Sequence, residues 1–285
     1  MGATSRRALL FGGAGLGVAA CTGDPARPRP STPVASSTRS TTKSTSMPPA
    51  RAGEPLVIDV QRQSAARGRG VRVIAMFPGD RVERLPVVLA LHGRGATAGF
   101  FLDLGVPAML AAAVEDGVAP FAVLAVDGGD SYWVAGDPGD DPQKMLADEV
   151  PGWLAEFGLI ESPSGAFGIS MGAYGALNYV RAVPGPPSAA VLSPALFTDW
   201  AQARARHVFA SEGQWAATEP LRHLDDLQGA LGVWCGTSDP FLPAAKELVA
   251  GGRTSVDEFT SGGHDPAYWR SVLPDALRFL GGVIR

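Results

Sequence analysis

The apolar positions of this chain form eight short runs, separated by stretches in which apolar residues recur with helical spacing. The runs predict β-strands over residues 56–60, 71–77, 87–91, 122–126, 166–169, 189–192, 231–235 and 255–259. The intervening patterns predict helices over residues 100–114, 142–157, 174–183, 200–209, 244–250 and 267–280. This alternation predicts an α/β fold with a mostly parallel eight-stranded sheet and helices on both faces. The first two strands can pair as a hairpin through residues 67–70.

The first 20 residues have the features of an export signal. Arg6 and Arg7 form a twin-arginine pair, and a short apolar, Gly-rich stretch follows over residues 11–20. Residues 18–21, Val-Ala-Ala-Cys, resemble a bacterial lipobox, in which Cys21 would be acylated and become the first mature residue. The alternative is a plain secretory signal cleaved near Ala20. The expected location is the cell envelope, with a lipid anchor in the outer face of the cytoplasmic membrane.

Residues 21–53 predict a linker between the lipidated Cys21 and a folded domain over residues 54–285. The segment is rich in Ser, Thr and Pro and lacks the apolar residues that form a core, so it is expected to be disordered and extended. The roughly 230 residues that follow suit one domain with a sizeable core.

Charge and cysteine content narrow the classes of partner. Residues 54–285 carry 17 Lys and Arg against 27 Asp and Glu, a formal net charge of −10. No basic patch stands out, so nucleic acid is not an expected partner. If Cys21 is acylated, Cys235 is alone and no intrachain disulfide can form. No group of His, Cys and Asp has metal-ligand spacing, so neither a metal nor another cofactor is expected.

The most informative motif is G-x-S-x-G at residues 168–172, centred on Ser170. It lies where an apolar strand turns sharply into a helix, which is the context of a nucleophile elbow in an α/β-hydrolase fold. The pattern alone is weak in a chain with 36 Gly, and a small-residue turn is the alternative. Partners in the appropriate chain order strengthen the interpretation, because Ser is followed by an acid and then by His in this fold.

His264 is the predicted general base. It follows the last predicted strand and precedes the final helix, where the catalytic His loop of this fold lies. His207 and His223, the other histidines after Ser170, are interpreted as surface residues. The predicted orienting acid is Asp239, which follows the seventh strand through a short turn, with a capping role as the alternative. Asp265 is the rival acid, but a side chain adjacent to His264 rarely reaches round to Nδ1.

The predicted oxyanion hole uses two backbone N–H groups. One belongs to Arg94, in the His-Gly-Arg-Gly loop after the third strand, and the other to Met171, directly after the nucleophile. His92 precedes the serine and is interpreted as a brace for this loop. The Arg94 guanidinium is either solvated or directed at an acidic group of the substrate.

Two loops are candidates to contribute to specificity. Residues 127–137 follow the fourth strand, and Asp127, Tyr132 and Trp133 are candidates to line a substrate cleft; the alternative is an ordinary turn with a packed Trp. Residues 194–224 lie where this fold often carries a cap, and a small cap is expected there.

The chain resembles the esterase D and feruloyl-esterase-like branch of the α/β-hydrolases, which includes the actinobacterial mycolyltransferases. The matching stretches are residues 91–93, 167–177, 263–265, 268–270 and 277–280, and the one departure is Ala173 where Gly is common. The resemblance covers roughly residue 56 to the C-terminus. It implies a Ser170–Asp239–His264 triad with oxyanion donors at Arg94 and Met171.

The leading functional prediction is an exported, lipid-anchored serine carboxylesterase that acts through an acyl-enzyme on Ser170. Its expected partners are a small-molecule or lipid ester substrate and, through the anchor, the membrane. The first alternative is an acyltransferase, in which a cell-envelope sugar hydroxyl resolves the same acyl-enzyme. The second is a non-catalytic binding protein on the same scaffold.

Overall fold

The computed structural model describes residues 54–80, 84–136, 138–185, 187–252 and 254–284. The predicted signal segment, Cys21 and the linker lie outside these residues. In the described part of the chain, no helix has both the length and the hydropathy needed to cross a membrane.

The centre of the fold is an eight-stranded sheet in the order β1-β2-β4-β3-β5-β6-β7-β8. The first two strands form an antiparallel hairpin, β2 is antiparallel to β4, and all other pairs are parallel. The predicted fold class is therefore confirmed. The strands are β1 Leu56–Ser64, β2 Arg69–Phe77, β3 Val87–Leu91, β4 Ala122–Val126, β5 Gly165–Ile169, β6 Ser188–Leu192, β7 Leu231–Gly236 and β8 Thr254–Thr260.

The prediction ended β1 too early, at Val60. The strand continues to Ser64, and its side chains alternate between exposed and half-buried because it lies at the edge of the sheet. The central strands β3, β4, β5 and β6 are buried along their whole length, as parallel strands covered on both faces must be.

The predicted helix over residues 100–114 is two helices, α1 Phe100–Leu104 and α2 Val106–Glu115. Gly105 separates them with a φ of 89°, a left-handed conformation that glycine adopts without steric cost. Because Pro107 lies in the first turn of α2, where no N–H donor is needed, the second helix starts cleanly.

The predicted helix over residues 142–157 is also interrupted. A short α3 Pro142–Lys144 leads into a π-helical turn at Met145–Glu149 and then α4 Val150–Glu156. Pro151 lacks the N–H that a regular helix would donate to the preceding turn, so the widened turn avoids an unmet bond. The Glu149 carboxylate in that turn accepts a hydrogen bond from the Ala66 N–H at 2.8 Å.

The remaining helices are α5 Met171–Ala182, α6 Trp200–Arg204, α7 Glu212–Thr218, α8 Leu242–Gly251 and α9 Pro266–Val283. The prediction over residues 200–209 overextended α6 and missed α7. The chain turns at His207, whose φ is 56°. Ser211 then caps α7 by accepting from the Gln214 N–H at 3.1 Å. Ser-x-x-Gln is a capping-box pattern, so the start of α7 was readable from the sequence.

Each face of the sheet packs on its own apolar core. One core takes the alternate β2 residues Val73, Ala75 and Phe77 with helices α4, α5 and α8. The other takes Ile74 and Met76 with α1, α2 and α9. Because successive side chains of β2 point to opposite faces of the sheet, they contribute to different cores. The helices packed on both faces support the sheet edge at which the site lies.

The small cap between β6 and β7 is fixed by a buried carboxyl, Glu219. It accepts hydrogen bonds from the Phe197 N–H at 3.1 Å, the Trp215 Nε1–H at 3.0 Å and the Leu221 N–H at 3.3 Å. Burial raises the pKa of this carboxyl to about 8 in spite of these donors.

Candidate active site

Ser170 lies at the turn between β5 and α5 in a strained backbone conformation. Its φ is 57° and its ψ is −118°, which is rare for a residue with a Cβ. The turn is fixed because the Ser170 N–H donates to the Leu192 carbonyl at 2.9 Å and the Ser170 carbonyl accepts from the Ala173 N–H at 3.0 Å. In this geometry the serine hydroxyl contacts His264 and faces the cavity described below.

The glycines on either side of Ser170 are required by close backbone packing. A Cβ on Gly168 would lie 2.0 Å from the Gly172 carbonyl oxygen, and one on Gly172 would lie 1.8 Å from the Leu91 carbonyl oxygen. Both distances are far below contact, so the G-x-S-x-G spacing here reflects how tightly β3, β5 and α5 approach one another.

The structure brings together Ser170, His264 and Asp239, which are far apart in sequence. His264 Nε2 lies 2.9 Å from Ser170 Oγ, and His264 Nδ1 lies 2.8 Å from Asp239 Oδ2. The three residues follow β5, β8 and β7, whose carboxyl ends meet at one edge of the sheet. A hydroxyl, an imidazole and a carboxylate are thus joined in one hydrogen-bonded chain.

The rival acid does not contact the imidazole. Asp265 Oδ1 accepts from the N–H groups of Ala267 and Tyr268, at 2.9 and 3.0 Å, and caps the N-terminus of α9. The other histidines are elsewhere: His207 is exposed, and His223 Nε2 contacts the Ala216 carbonyl at 2.9 Å.

The Asp239 carboxyl is buried, yet it is held in its charged form. Burial by itself would raise the pKa of this group. Hydrogen bonds from His264, Ser193 and the Phe241 N–H outweigh burial and keep the pKa below its usual value. The nearby Cys235 thiol is buried, and its pKa rises to about 12 because of burial and the adjacent Asp239 carboxylate, so it is no nucleophile at neutral pH.

Two further residues, Ser193 and Trp269, support the triad and were not identified from the sequence. Ser193 is fully buried, follows β6 with a φ of 50°, and its hydroxyl helps to lower the pKa of the Asp239 carboxyl. Its Oγ also accepts from the Trp269 Nε1–H at 2.9 Å. The Trp269 ring in turn packs edge-on against His264, with centroids 5.2 Å apart. Placement at the carboxyl end of β6 was the one signal that marked Ser193 beforehand.

We expect Ser193→Gly to lower kcat for an ester substrate by about tenfold to a hundredfold, the worth of a hydrogen bond to a charged group. Glycine accepts the positive φ, so the backbone keeps its conformation while the CH₂OH side chain is lost. Because that bond lowers the pKa of Asp239, its loss raises this pKa, and activity should fall at a higher pH during acidification. The pH profile of kcat measures this; an unshifted profile with an unchanged kcat contradicts it. Trp269→Phe, which keeps an aromatic ring against His264, should show a smaller loss.

The two predicted oxyanion donors are the N–H groups of Met171, which directly follows Ser170, and of Arg94, in the loop after β3. Met171 begins α5, so its N–H belongs to the first turn of the helix, which has no intrahelical acceptor. Arg94 lies in the loop after β3 that lines the cavity beside Ser170. Within the described residues, neither N–H donates to a backbone carbonyl. Both are available to a negatively charged oxygen.

The His92 side chain holds the loop after β3 in place through two hydrogen bonds. Its buried ring donates from Nδ1 to the Gly93 carbonyl at 2.8 Å, and its Nε2 accepts from the Gly128 N–H at 2.9 Å. The second bond requires an unprotonated Nε2, which fixes the tautomer. Burial lowers the pKa of His92, in keeping with a neutral, structural imidazole.

A cavity of about 490 Å³ opens over the serine, within the size range of small-molecule sites. Ser170 and His264 are on its floor. The rest of its wall is formed by residues 93–97, Phe100, Asp103 and Trp269. Among the described residues, the members of the triad that line this cavity are therefore Ser170 and His264.

The assignment of Tyr132 and Trp133 to a substrate cleft is wrong. Their side chains are 3% and 0% exposed, and Trp133 Nε1 donates to the His92 carbonyl at 3.2 Å. Both have a φ of 58°, which turns these rings into the core. Asp127 does not reach the serine cavity either: its carboxylate accepts from the N–H groups of Ala98 and Arg72, at 2.8 and 3.3 Å, and borders a separate cavity of about 190 Å³.

Within the described ranges, no cluster of three or more His, Cys, Asp or Glu has a geometry that could hold a metal ion. The site itself offers a serine oxygen, a base held by an acid, and the N–H groups of Arg94 and Met171.

Comparison with known proteins identifies the family of the chain. The family model described as "Putative esterase" matches residues 64–280. No curated protein matches the sequence at a significant level.

Solved structures share the fold at low sequence identity. A ferulic acid esterase superposes with a TM-score of 0.69 at 18% identity, covering 82% of this chain and 100% of that one. An S-formylglutathione hydrolase from Agrobacterium tumefaciens gives 0.66 at 16% identity, covering 85% and 99%. MPT51 of Mycobacterium tuberculosis gives 0.62 at 19% identity, covering 81% and 99%. Since the family model spans most of the chain and the fold agrees, the protein belongs to the esterase family, within the α/β-hydrolase fold.

Proposed function

We propose that the protein is a serine carboxylesterase that works through an acyl-enzyme on Ser170. The observation that carries the proposal is the continuous chain from Ser170 Oγ through His264 to Asp239, with contacts of 2.9 and 2.8 Å, at the floor of an open cavity. A strained serine beside a base that is itself held by a buried acid is an activated nucleophile.

In the first half of the reaction, Ser170 Oγ attacks the ester carbonyl carbon while His264 Nε2 takes the hydroxyl proton. The tetrahedral oxyanion lies between the Arg94 and Met171 N–H groups; one such donor is worth about 3–4 kcal/mol in comparable enzymes. The ester C–O bond then breaks, and His264 returns the proton to the leaving alcohol. Asp239 stabilises the imidazolium that exists between these two transfers.

In the second half, water replaces the alcohol. His264 removes a proton from the water as it attacks the acyl carbon, a second oxyanion forms in the same place, and the carboxylic acid departs as Ser170 regains its proton. A sugar hydroxyl entering in place of water would give acyl transfer by the same steps.

We further propose that the protein is exported and anchored through acylated Cys21, so that it would act in the cell envelope. The support is the sequence itself: a twin-arginine pair, a lipobox-like stretch and a Ser/Thr/Pro-rich linker ahead of the domain.

The test is covalent capture. The purified protein should gain the mass of one phosphonyl group from a fluorophosphonate ester, on the peptide that contains Ser170. Ser261→Ala, which changes an exposed serine near the site, should be labelled as fast as the original, and Ser170→Ala not at all. Labelling elsewhere, or none with a folded protein, overturns the proposal.

A second experiment distinguishes hydrolysis from acyl transfer. The protein is supplied with p-nitrophenyl butyrate and a sugar: free butyrate indicates hydrolysis, and an acylated sugar indicates transfer.

A further inference from the structure

The five residues that follow β6 are all buried, and we call this segment, residues 193–197, the β6 extension. It acts on two members of the triad. At its start, the Ser193 hydroxyl helps to lower the pKa of the Asp239 carboxyl. In its middle, the Ala195 N–H donates to the Ser170 carbonyl at 3.2 Å. The position of the β6 extension therefore affects both the acid and the nucleophile.

The third member of the triad is reached through two aromatic rings. The Phe197 ring, at the end of the β6 extension, lies edge-on to the Phe241 ring, with centroids 6.3 Å apart. The Phe241 ring lies 5.2 Å from the His264 ring, and the Phe241 N–H donates to Asp239 Oδ1 at 2.8 Å. Because protein interiors are close-packed, a displacement of Phe197 also displaces the ring beside the base.

The Glu219 side chain fixes the end of the β6 extension. Its Oε2 accepts from the Phe197 N–H at 3.1 Å and from the Trp215 Nε1–H at 3.0 Å. Its Oε1 accepts from the Leu221 N–H at 3.3 Å. The three donors belong to the β6 extension, to α7 and to the 3₁₀ turn Pro220–Arg222. One buried carboxyl thus joins the β6 extension to two parts of the cap.

These three N–H groups are the partners that offset the burial of the Glu219 carboxyl. The residue is 0% exposed, and within the described part of the chain it forms no salt bridge. Removing the carboxyl would leave the Phe197 N–H and the Trp215 Nε1–H buried without an acceptor, which is costly. That cost favours a shift of the β6 extension toward another acceptor.

We propose that Glu219 is a positioning residue for the esterase reaction, and that through the β6 extension it holds the triad at the distances that proton transfer requires. This inference rests on the proposed esterase function and extends it to a residue outside the serine cavity. Among the described residues, none from the cap lines that cavity. Glu219 is therefore expected to affect the chemical steps and not the binding of the substrate.

The test is Glu219→Met, which keeps the length of the side chain and removes both acceptor oxygens. For p-nitrophenyl butyrate, we expect kcat to fall by about tenfold to a hundredfold, because small misplacements of reacting groups have effects of this size, while KM changes little. Rates are expressed per serine labelled by a fluorophosphonate ester, which corrects for any unfolded fraction. Glu219→Gln keeps one carbonyl oxygen for the Phe197 N–H and should recover most of the loss.

Two controls separate positioning from stability. Glu212→Met makes the same exchange at an exposed carboxyl of α7 and should leave kcat unchanged. Leu280→Ala removes buried atoms near the C-terminal end of α9, whose other end lies at the site. It should lower the melting temperature without lowering kcat per labelled serine; a loss equal to that of Glu219→Met would contradict the proposal. If Glu219→Met does not fold, Glu219→Asp replaces it, because its shorter side chain withdraws the carboxylate from the Phe197 N–H.

Three results overturn the inference while leaving the esterase function standing. The first is an unchanged kcat in Glu219→Met, or in Glu219→Asp where that variant replaces it. The second is a loss that appears in KM instead of kcat. The third is a Glu219→Gln protein as slow as Glu219→Met, since the acceptor oxygen would then have no effect on the rate.

Failure of the proposed function is seen separately, as neither labelling nor hydrolysis by the original protein. Proton NMR of the His264 ring then decides. Its resonances respond to the placement of the Phe241 and Trp269 rings, whose centroids each lie 5.2 Å from its own. A change of these resonances in Glu219→Met that exceeds the change in Glu212→Met supports the inference, and an equal change rejects it.

Discussion

Ser170→Ala and His264→Ala are each expected to lower kcat for p-nitrophenyl butyrate by a factor of about 10⁴ to 10⁶, and the double variant to be no slower than either single one. The reason is that the two side chains act as a unit. Without the base, the serine hydroxyl stays protonated; without the serine, the base has no nucleophile to activate. Steady-state kcat at saturating substrate measures all three variants.

Residual activity should come from the oxyanion donors, which both substitutions leave in place. His207→Asn is the matched control, because it alters an exposed histidine and Asn tolerates the φ of 56° found there. It should retain the original kcat. Multiplicative losses in the double variant would mean that Ser170 and His264 act independently, which would contradict the chain of hydrogen bonds drawn above.

Gly172→Ala is expected to destabilise the fold by about 3 kcal/mol or more, at the upper end of overpacking effects. The new Cβ would lie 1.8 Å from the Leu91 carbonyl oxygen and 2.4 Å from its carbon, both in the backbone of β3. Since neither atom can move without displacing a central strand, α5 must shift away from the sheet. For a domain of this size, that corresponds to a fall in Tm of about 6 °C or more.

Gly282→Ala is the matched control for that experiment. Its Cβ would meet no atom within 4 Å, and it lies within α9. There the exchange should be neutral or stabilise by about 0.5–1 kcal/mol, because alanine loses less backbone entropy in a helix. Thermal unfolding followed by circular dichroism compares the two. A Gly172→Ala protein that melts within about 2 °C of the original would show that β3 and α5 do not constrain each other as the structure indicates.

The helices show which part of the fold is determined by the local sequence. Amphipathic spacing located nearly every helix, because that signal needs only the chain's own periodicity. The breaks were harder to predict. Gly105 and Pro151 are visible in the sequence, but whether a helix ends, widens or continues at such a residue depends on what the following turn packs against. The missed α7 is different, since its Ser211 and Gln214 cap was readable.

The active site likewise has features that the local sequence predicts and features that depend on the fold. Ser170, Asp239 and His264 each follow a predicted strand, and they occur in the chain order of this fold. These two features predicted from the sequence alone that the three residues lie at one edge of the sheet. The sequence already favoured Asp239 over Asp265, because a side chain adjacent to His264 rarely reaches Nδ1; in the structure Asp265 accepts from two N–H groups of α9, while Asp239 contacts the imidazole. Ser193 was overlooked because serine after a strand has no distinctive pattern.

Local patterns in the sequence predict the α/β class, the parallel sheet and the nucleophile turn, because strand and helix periods and a tight glycine turn are properties of neighbouring residues. What each side chain faces depends on the tertiary structure. Tyr132 and Trp133 have the composition of a binding loop, yet long-range packing against the site's own supports buries both. Conversely, the Arg94 side chain donates to the backbone carbonyl of Arg206, 112 positions away. Contacts between distant segments depend on the packing of the whole domain, and no local pattern encodes them.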